Sequence, residues 1–157
     1  MVMTAADTFR EITASRRQRM IARDPRISGK TCFSLDAFRV WLRDRQTARD
    51  IWKCRYCGQL LTIQEMEIDH WESLGLGGVT ALSNLAESCR RCNKAKGKLC
   101  GPQFIALLEV LEQFPRAMRD DVFARLAAGP QWRGKGGGKS AAQQILDSAR
   151  DRGLFAR

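Results

Sequence analysis

Cys54-Arg-Tyr-Cys57-Gly58, then Glu67-Ile68-Asp69-His70-Trp71, then Cys89-Arg-Arg-Cys92-Asn93-Lys94-Ala95-Lys96-Gly97-Lys98 are the three blocks around which this sequence is arranged. Between the second and third lie Gly75-Leu76-Gly77-Gly78 and Asn84-Leu85. Two Cys-x-x-Cys pairs, separated by 31 residues, therefore bracket an Asp-His dipeptide, a glycine-rich loop and an asparagine. A second asparagine follows the last cysteine.

Four thiolates on two such pairs form the soft tetrahedral set that Zn²⁺ takes when its role is structural. A redox pair would need a thioredoxin-like βαβ context, which the sequence does not offer. An iron–sulfur cluster would use the same four ligands. Cys54, Cys57, Cys89 and Cys92 are thus expected to hold zinc, with Gly58 taking the tight turn between sulfurs. Such a clip stabilises a small fold by about 10 kcal/mol or more. It closes on an inserted ββ element, and the polar residues of interest lie inside that insert.

The surrounding composition fits this picture. At 157 residues, 44% hydrophobic and 28% charged, the chain is globular, with room for one ordinary domain or a small domain with appendages. The 27 Lys and Arg against 17 Asp and Glu leave a net charge of +10, which favours nucleic acid over membrane as a partner. No apolar run is long enough to span a bilayer. Met1-Val-Met-Thr-Ala-Ala-Asp7 lacks a signal-type apolar core, so a cytoplasmic, intracellular setting is expected. In a reducing compartment paired cysteines bind metal far more often than they form disulfides. Cys32 and Cys100 stand alone.

Residues 4–23 read as a helix capped by Thr4, with Phe9, Ile12 and Met20 on one face and Arg16, Arg17, Arg19 and Arg23 as a basic cluster. That cluster is either a solvated face or a phosphate-contacting arm. Asp24-Pro25 breaks the helix, and a loop continues through Lys30. Ser34 caps a second helix over 35–49, with Phe33 stapled onto Phe38 and an apolar stripe of Phe38, Trp41 and Leu42. Residues 62–71 suit a short strand, with Met66, Ile68 and His70 on one side, and Leu85–Ser88 a second. A helix begins at Cys89 and stops at Gly97. Phe104, Leu107, Leu108, Leu111 and Phe114 mark one helix, and Met118, Val122, Phe123 and Leu126 another, as a helical hairpin broken at Pro115 and ended at Gly129-Pro130. Arg133 to Ser140 is a basic, glycine-rich linker. Its Gly138-Lys139-Ser140 is no phosphate loop, because Arg133 stands where the glycine is required. A last small helix is expected over 140–151.

The central blocks resemble the HNH endonucleases, with their ββα-metal fold, over residues 53–98. The resemblance rests on Asp69-His70 ending the first strand, Gly77-Gly78 in the loop, Asn84-Leu85 before the second strand, and Cys89-Arg-Arg-Cys92-Asn93-Lys-Ala-Lys96. Asn93 stands where many members carry a third-position His. A proline common after the Asp-His pair is absent, and Glu72-Ser73-Leu74 occupy its place. The resemblance implies an α+β, mostly α, fold: a ββα-metal core stapled by a four-cysteine zinc site and flanked by N-terminal and C-terminal helices. It divides the chain into an N-terminal arm (1–52), the core (53–100), a helical hairpin (101–130) and a basic tail (131–157).

It also implies a chemistry. His70, the only histidine, becomes the general base, since an imidazole near its unperturbed pKa accepts a proton at neutral pH. Asp69 and Asn93 offer a carboxylate and an amide oxygen, a hard donor set suited to catalytic Mg²⁺ or Mn²⁺. Asn84 positions the imidazole and braces the loop. Arg90, Arg91, Lys94, Lys96 and Lys98 form a run without an acid and become candidates for phosphate contact, Lys96 first. The expected partner is DNA, most simply double-stranded, with the flanking helices available to a protein partner. The competing expectation is a zinc-stapled nucleic-acid-binding module without catalysis, which has no use for the full Asp69, His70, Asn84 and Asn93 set.

Overall fold

The computed structural model describes residues 4–27, 33–128 and 151. Cys32, the Gly129-Pro130 stop, the Arg133–Ser140 linker and, but for Asp151, the helix expected over 140–151 lie outside the described residues, as does most of the Ile27–Lys30 loop. The chain divides into two compact units, residues 1–89 and 90–157.

In the first unit, helix α1 (Ala5–Arg23) begins where Thr4 and Asp7 cap each other, the Thr4 hydroxyl accepting from the Asp7 amide and the Asp7 carboxylate accepting from the Thr4 amide. Phe9 and Met20 are buried as expected; Ile12 is only half-buried, and Thr13 takes the fully enclosed position instead. The basic cluster is partly structural. Arg17 donates twice to the Phe33 carbonyl, at 3.0 and 2.7 Å, and Arg16 reaches the Gln64 carbonyl at 3.3 Å, burial pushing its pKa down to about 10.

Helix α2 (Leu35–Arg43) starts at Ser34, whose hydroxyl accepts from Ala37 N–H at 3.0 Å. Phe33 packs on Phe38 at 5.8 Å between ring centroids. The helix ends at Arg43, six residues short of the expected 49. Beyond Leu42, residues 44–50 supply no large apolar side chain to bury, and the chain turns through Asp50 in the left-handed region, at φ 58°. That turn delivers Trp52 to the core, where it is wholly enclosed. Its indole N–H donates to the Leu42 carbonyl at 2.7 Å, and its ring stacks with Phe9 at 6.4 Å.

Two antiparallel ribbons follow. Strands β1 (Trp52–Lys53) and β2 (Leu60–Leu61) flank the first cysteine pair, a pairing the sequence did not announce. Strands β3 (Met66–His70) and β4 (Leu85–Cys89) pair from Met66↔Cys89 to His70↔Leu85. Strand β3 is shorter than the expected 62–71, because Glu65 caps the Thr62 amide and hydroxyl at 2.9 and 2.8 Å and makes 62–65 a turn. Burial along β3 does not alternate: Met66 and Asp69 are buried, while Ile68 and His70 are half-buried. β4 extends through Cys89, so a sulfur ligand sits on the ladder itself.

The second unit holds α3 (Arg90–Lys96), α4 (Gly101–Glu112) and α5 (Arg116–Ala128). Gly97, at φ 54°, closes α3 as expected. Gln103 caps the Cys100 amide at 3.0 Å to start α4. Phe104, Leu107 and Leu111 are buried, and Phe104 meets Phe123 edge-on at 6.1 Å. Only Phe123 of the expected α5 stripe is buried, and Met118 is exposed. Arg91 fastens α3 to α5 through Asp120 at 2.9 Å and lies over the Phe123 ring at 4.3 Å. The order β3, β4, α3 with small antiparallel sheets is that of a ββα-metal core among helices. No helix among the described residues is long and apolar enough to cross a membrane.

Candidate active site and metal centre

The sulfurs of Cys54, Cys57, Cys89 and Cys92 all lie within 4.8 Å of one another. Zn–S bonds of about 2.3 Å make a sulfur tetrahedron with edges near 3.8 Å, and Cys57 Sγ to Cys89 Sγ is 3.9 Å. The set fits zinc. Local structure builds it: the Cys54 amide donates to the Gln59 carbonyl at 2.8 Å, the Gly58 amide to the Cys54 carbonyl at 3.0 Å, and Gly58 adopts φ 75°. The Cys89 amide donates to Cys54 Sγ at 3.3 Å, which favours the thiolate. The Arg55 amide bonds the Glu87 carbonyl at 2.9 Å, tying the knuckle to β4.

The imidazole stands at the end of β3. His70 Nε2 lies 2.9 Å from the hydroxyl of Thr80, a residue with no exposed surface. The Thr80 hydroxyl and amide both donate to Asp24 Oδ2, at 2.9 and 3.1 Å. Asp24 is itself buried, at the end of α1, and Arg26 pairs with it at 3.0 Å. The Arg26 side-chain hydrogen bond holds the Asp24 carboxyl well below the usual carboxylate range, outweighing the opposing effect of burial. Arg26 also donates to the carbonyls of Gly77, at 3.1 Å, and Gly78.

Asn84 braces the same loop. Its Oδ1 accepts from the Glu72 amide at 2.7 Å, and its Nδ2 donates to the carbonyls of Glu72 and Val79 at 3.0 and 2.8 Å. Its own carbonyl accepts from the Trp71 amide at 2.8 Å. The loop needs glycine at 78: a Cβ there would lie 2.0 Å from the Glu72 carbonyl oxygen.

Asp69, next to His70, is buried against the knuckle. The Tyr56 phenol donates to Asp69 Oδ2 at 2.6 Å, and the Tyr56 ring stacks on Trp71 at 6.0 Å. Arg55 lies over the other partner of that stack, its guanidinium 5.4 Å from the Trp71 ring. The two residues between the first cysteines thus clasp the strand that carries Asp69 and His70. Sequence reasoning passed over Tyr56, Thr80, Asp24 and Arg26. The only local hints were that Tyr56 is the sole tyrosine and sits inside the knuckle; Asp24 read simply as a helix breaker.

Asn93 follows Cys92 on α3 and is half-buried. Arg90, Lys94 and Lys98 are exposed. Lys96, the favoured phosphate contact, is buried at 2% exposure, because at four residues from Cys92 it shares the inward face of α3 with Cys92 and Ala95. Arg91 is engaged by Asp120.

Residues 54–99 match the family model described as HNH endonuclease, which places a nuclease-type domain on this stretch. No curated protein and no solved structure matches the chain.

Proposed function

We propose that the chain is a metal-dependent endonuclease that hydrolyses phosphodiester bonds in DNA, with His70 as general base. The observation that carries this reading is the sole imidazole of the chain, hydrogen-bonded through Nε2 to Thr80 and adjacent to the buried Asp69, inside the stretch that matches the HNH endonuclease model. Asp69 and Asn93 would hold Mg²⁺ or Mn²⁺, since both supply oxygen donors. When bound, that cation neutralises charge on the scissile phosphate and on the departing 3′-oxygen. A carboxylate is acceptor-only, so the two oxygens of Asp69 would serve the Tyr56 phenol and a cation together. His70 takes the proton of the attacking water. Asn84 keeps the loop after β3 in place through three side-chain hydrogen bonds. Exposed Arg90, Lys94 and Lys98 contact phosphates and contribute affinity without sequence preference. The products are a 5′-phosphate and a 3′-hydroxyl.

The test is nicking of supercoiled plasmid in Mg²⁺. His70→Ala should abolish nicking while bound zinc and DNA affinity persist. Undiminished cleavage by that variant removes the general base. DNA binding by the wild type without cleavage in Mg²⁺ or Mn²⁺ selects the non-catalytic zinc-stapled module instead.

A further inference from the structure

We propose that Asp24 and Thr80 are positioning residues that fix the tautomer and orientation of His70, a role that rests on the nuclease reading for its purpose but not for its geometry. The number of protons available decides it. The Thr80 hydroxyl owns one hydrogen and lies 2.9 Å from both Asp24 Oδ2 and His70 Nε2. Asp24, bound by Arg26 and held ionised, accepts only. If the hydroxyl gave its proton to the imidazole, two oxygen lone pairs would face each other at 2.9 Å around a hydroxyl without exposed surface. The consistent arrangement sends the hydroxyl proton to Asp24 and an Nε2–H proton to the Thr80 oxygen. The imidazole lone pair then sits on Nδ1, which assigns the proton-accepting atom. Which ring nitrogen carries the proton is set by the bond the other nitrogen makes.

Both positioning residues are almost wholly enclosed, Thr80 at 0% and Asp24 at 3% exposure, so water does not compete for these bonds. The Thr80 amide donates to the same Asp24 oxygen, which fixes the Thr80 backbone as well as its hydroxyl. Arg26 completes the brace by donating to Gly77 and Gly78. The N-terminal arm thereby reaches 56 residues along the chain to hold the ring, from outside the stretch that matches the family model.

His70 is the only histidine, so one imidazole gives the whole signal in a ¹⁵N ring spectrum. With zinc-loaded protein at a pH well above the ordinary imidazole range, the wild type should show the Nε2–H tautomer. Thr80→Val, which keeps the shape and removes the hydroxyl, should lose that preference, and Thr80→Ser should keep it. In plasmid nicking, Thr80→Val and Asp24→Asn should lower kcat by at least about tenfold, a share of the 10²–10⁴ that a general base supplies. KM for DNA should stay within about twofold, since neither residue touches phosphate, and Thr80→Ser should recover most of the rate. The same tautomer in wild type and Thr80→Val overturns the proposal, as does a wild-type ring protonated on Nδ1. A wild type that never nicks DNA sinks the nuclease reading alone, and the spectrum still decides the positioning claim.

Discussion

Tyr56 shows how much a single side chain can do between two centres. Its backbone lies between Cys54 and Cys57 of the sulfur cluster, while its phenol holds Asp69 at 2.6 Å. Groups that hydrogen-bond a metal-binding carboxylate orient it, and their loss costs about 10- to 100-fold in metal affinity or activity. Tyr56→Phe should therefore raise the Mg²⁺ concentration for half-maximal nicking by about tenfold, with zinc content unchanged. A titration that superimposes on the wild type would show that the phenol is only packing. Gly78 is decided by space. A methyl group there would meet the Glu72 carbonyl at 2.0 Å, and the Asn84 side chain pins Glu72 from both its amide and its carbonyl. Gly78→Ala should lower stability by about 1–3 kcal/mol, read as a urea midpoint, because the loop must shift to accept it. The sole histidine and the four sulfurs could be found in the sequence because they are rare residue types at fixed spacing. Thr80 and Asp24 could not. A buried Thr–Asp hydrogen bond across 56 residues leaves no local pattern, and neither residue type is unusual where it stands.

Elements were legible where their signal is local. Thr4 and Ser34 cap α1 and α2 as their types require, and Gly97 ends α3 with a positive φ. Boundaries set by tertiary contact were not. α2 stops at Arg43 because nothing large and apolar follows Leu42 until Ile51, and the strands β1 and β2 are two residues each, too short for any periodicity. Lys96 shows the same limit on a face: its place in the basic run reads as the first candidate for phosphate contact, but helical spacing from Cys92 turns this one member inward. The α2 stripe itself behaves as a core. Phe38 is fully enclosed between Phe33 and Trp41, at ring distances of 5.8 and 5.9 Å. Phe38→Ala should cost about 3–5 kcal/mol, through lost transfer energy and the cavity left behind. Equilibrium denaturation is the measurement, and a loss below about 1 kcal/mol would mean that the site collapses or that the stripe is peripheral.

At the scale of the whole chain, a charged group answers to pH, and a bound metal would answer to chelation. A carboxyl whose folded pKa lies below its unfolded value of about 3.9 stabilises the fold at every pH above that value. The contribution disappears only as pH falls through the lower, folded value. Asp24 is such a group, depressed chiefly by its hydrogen bond to Arg26. The stability gap between wild type and Asp24→Asn, about 1–3 kcal/mol for bonds to a charged acceptor, should therefore be flat between about pH 5 and pH 8. A gap that changes across that range would mean the carboxyl titrates there, contrary to its environment. Zinc in the sulfur cluster would set the other condition. Four sulfurs within 4.8 Å of one another would repel as thiolates without a cation, and a bound zinc ion would supply about 10 kcal/mol or more against a total stability of about 5–15 kcal/mol. A cation held by Asp69 and Asn93, as proposed, would place no such demand on the fold. Removing Mg²⁺ alone should stop nicking and leave circular dichroism unchanged. A chelator strong enough to take one zinc per chain should instead collapse the near-ultraviolet signal and abolish nicking, and excess Mg²⁺ should not restore it. Retention of that signal after measured zinc loss would make the sulfur cluster dispensable, and the packing around Trp52 would then have to hold the knuckle without it.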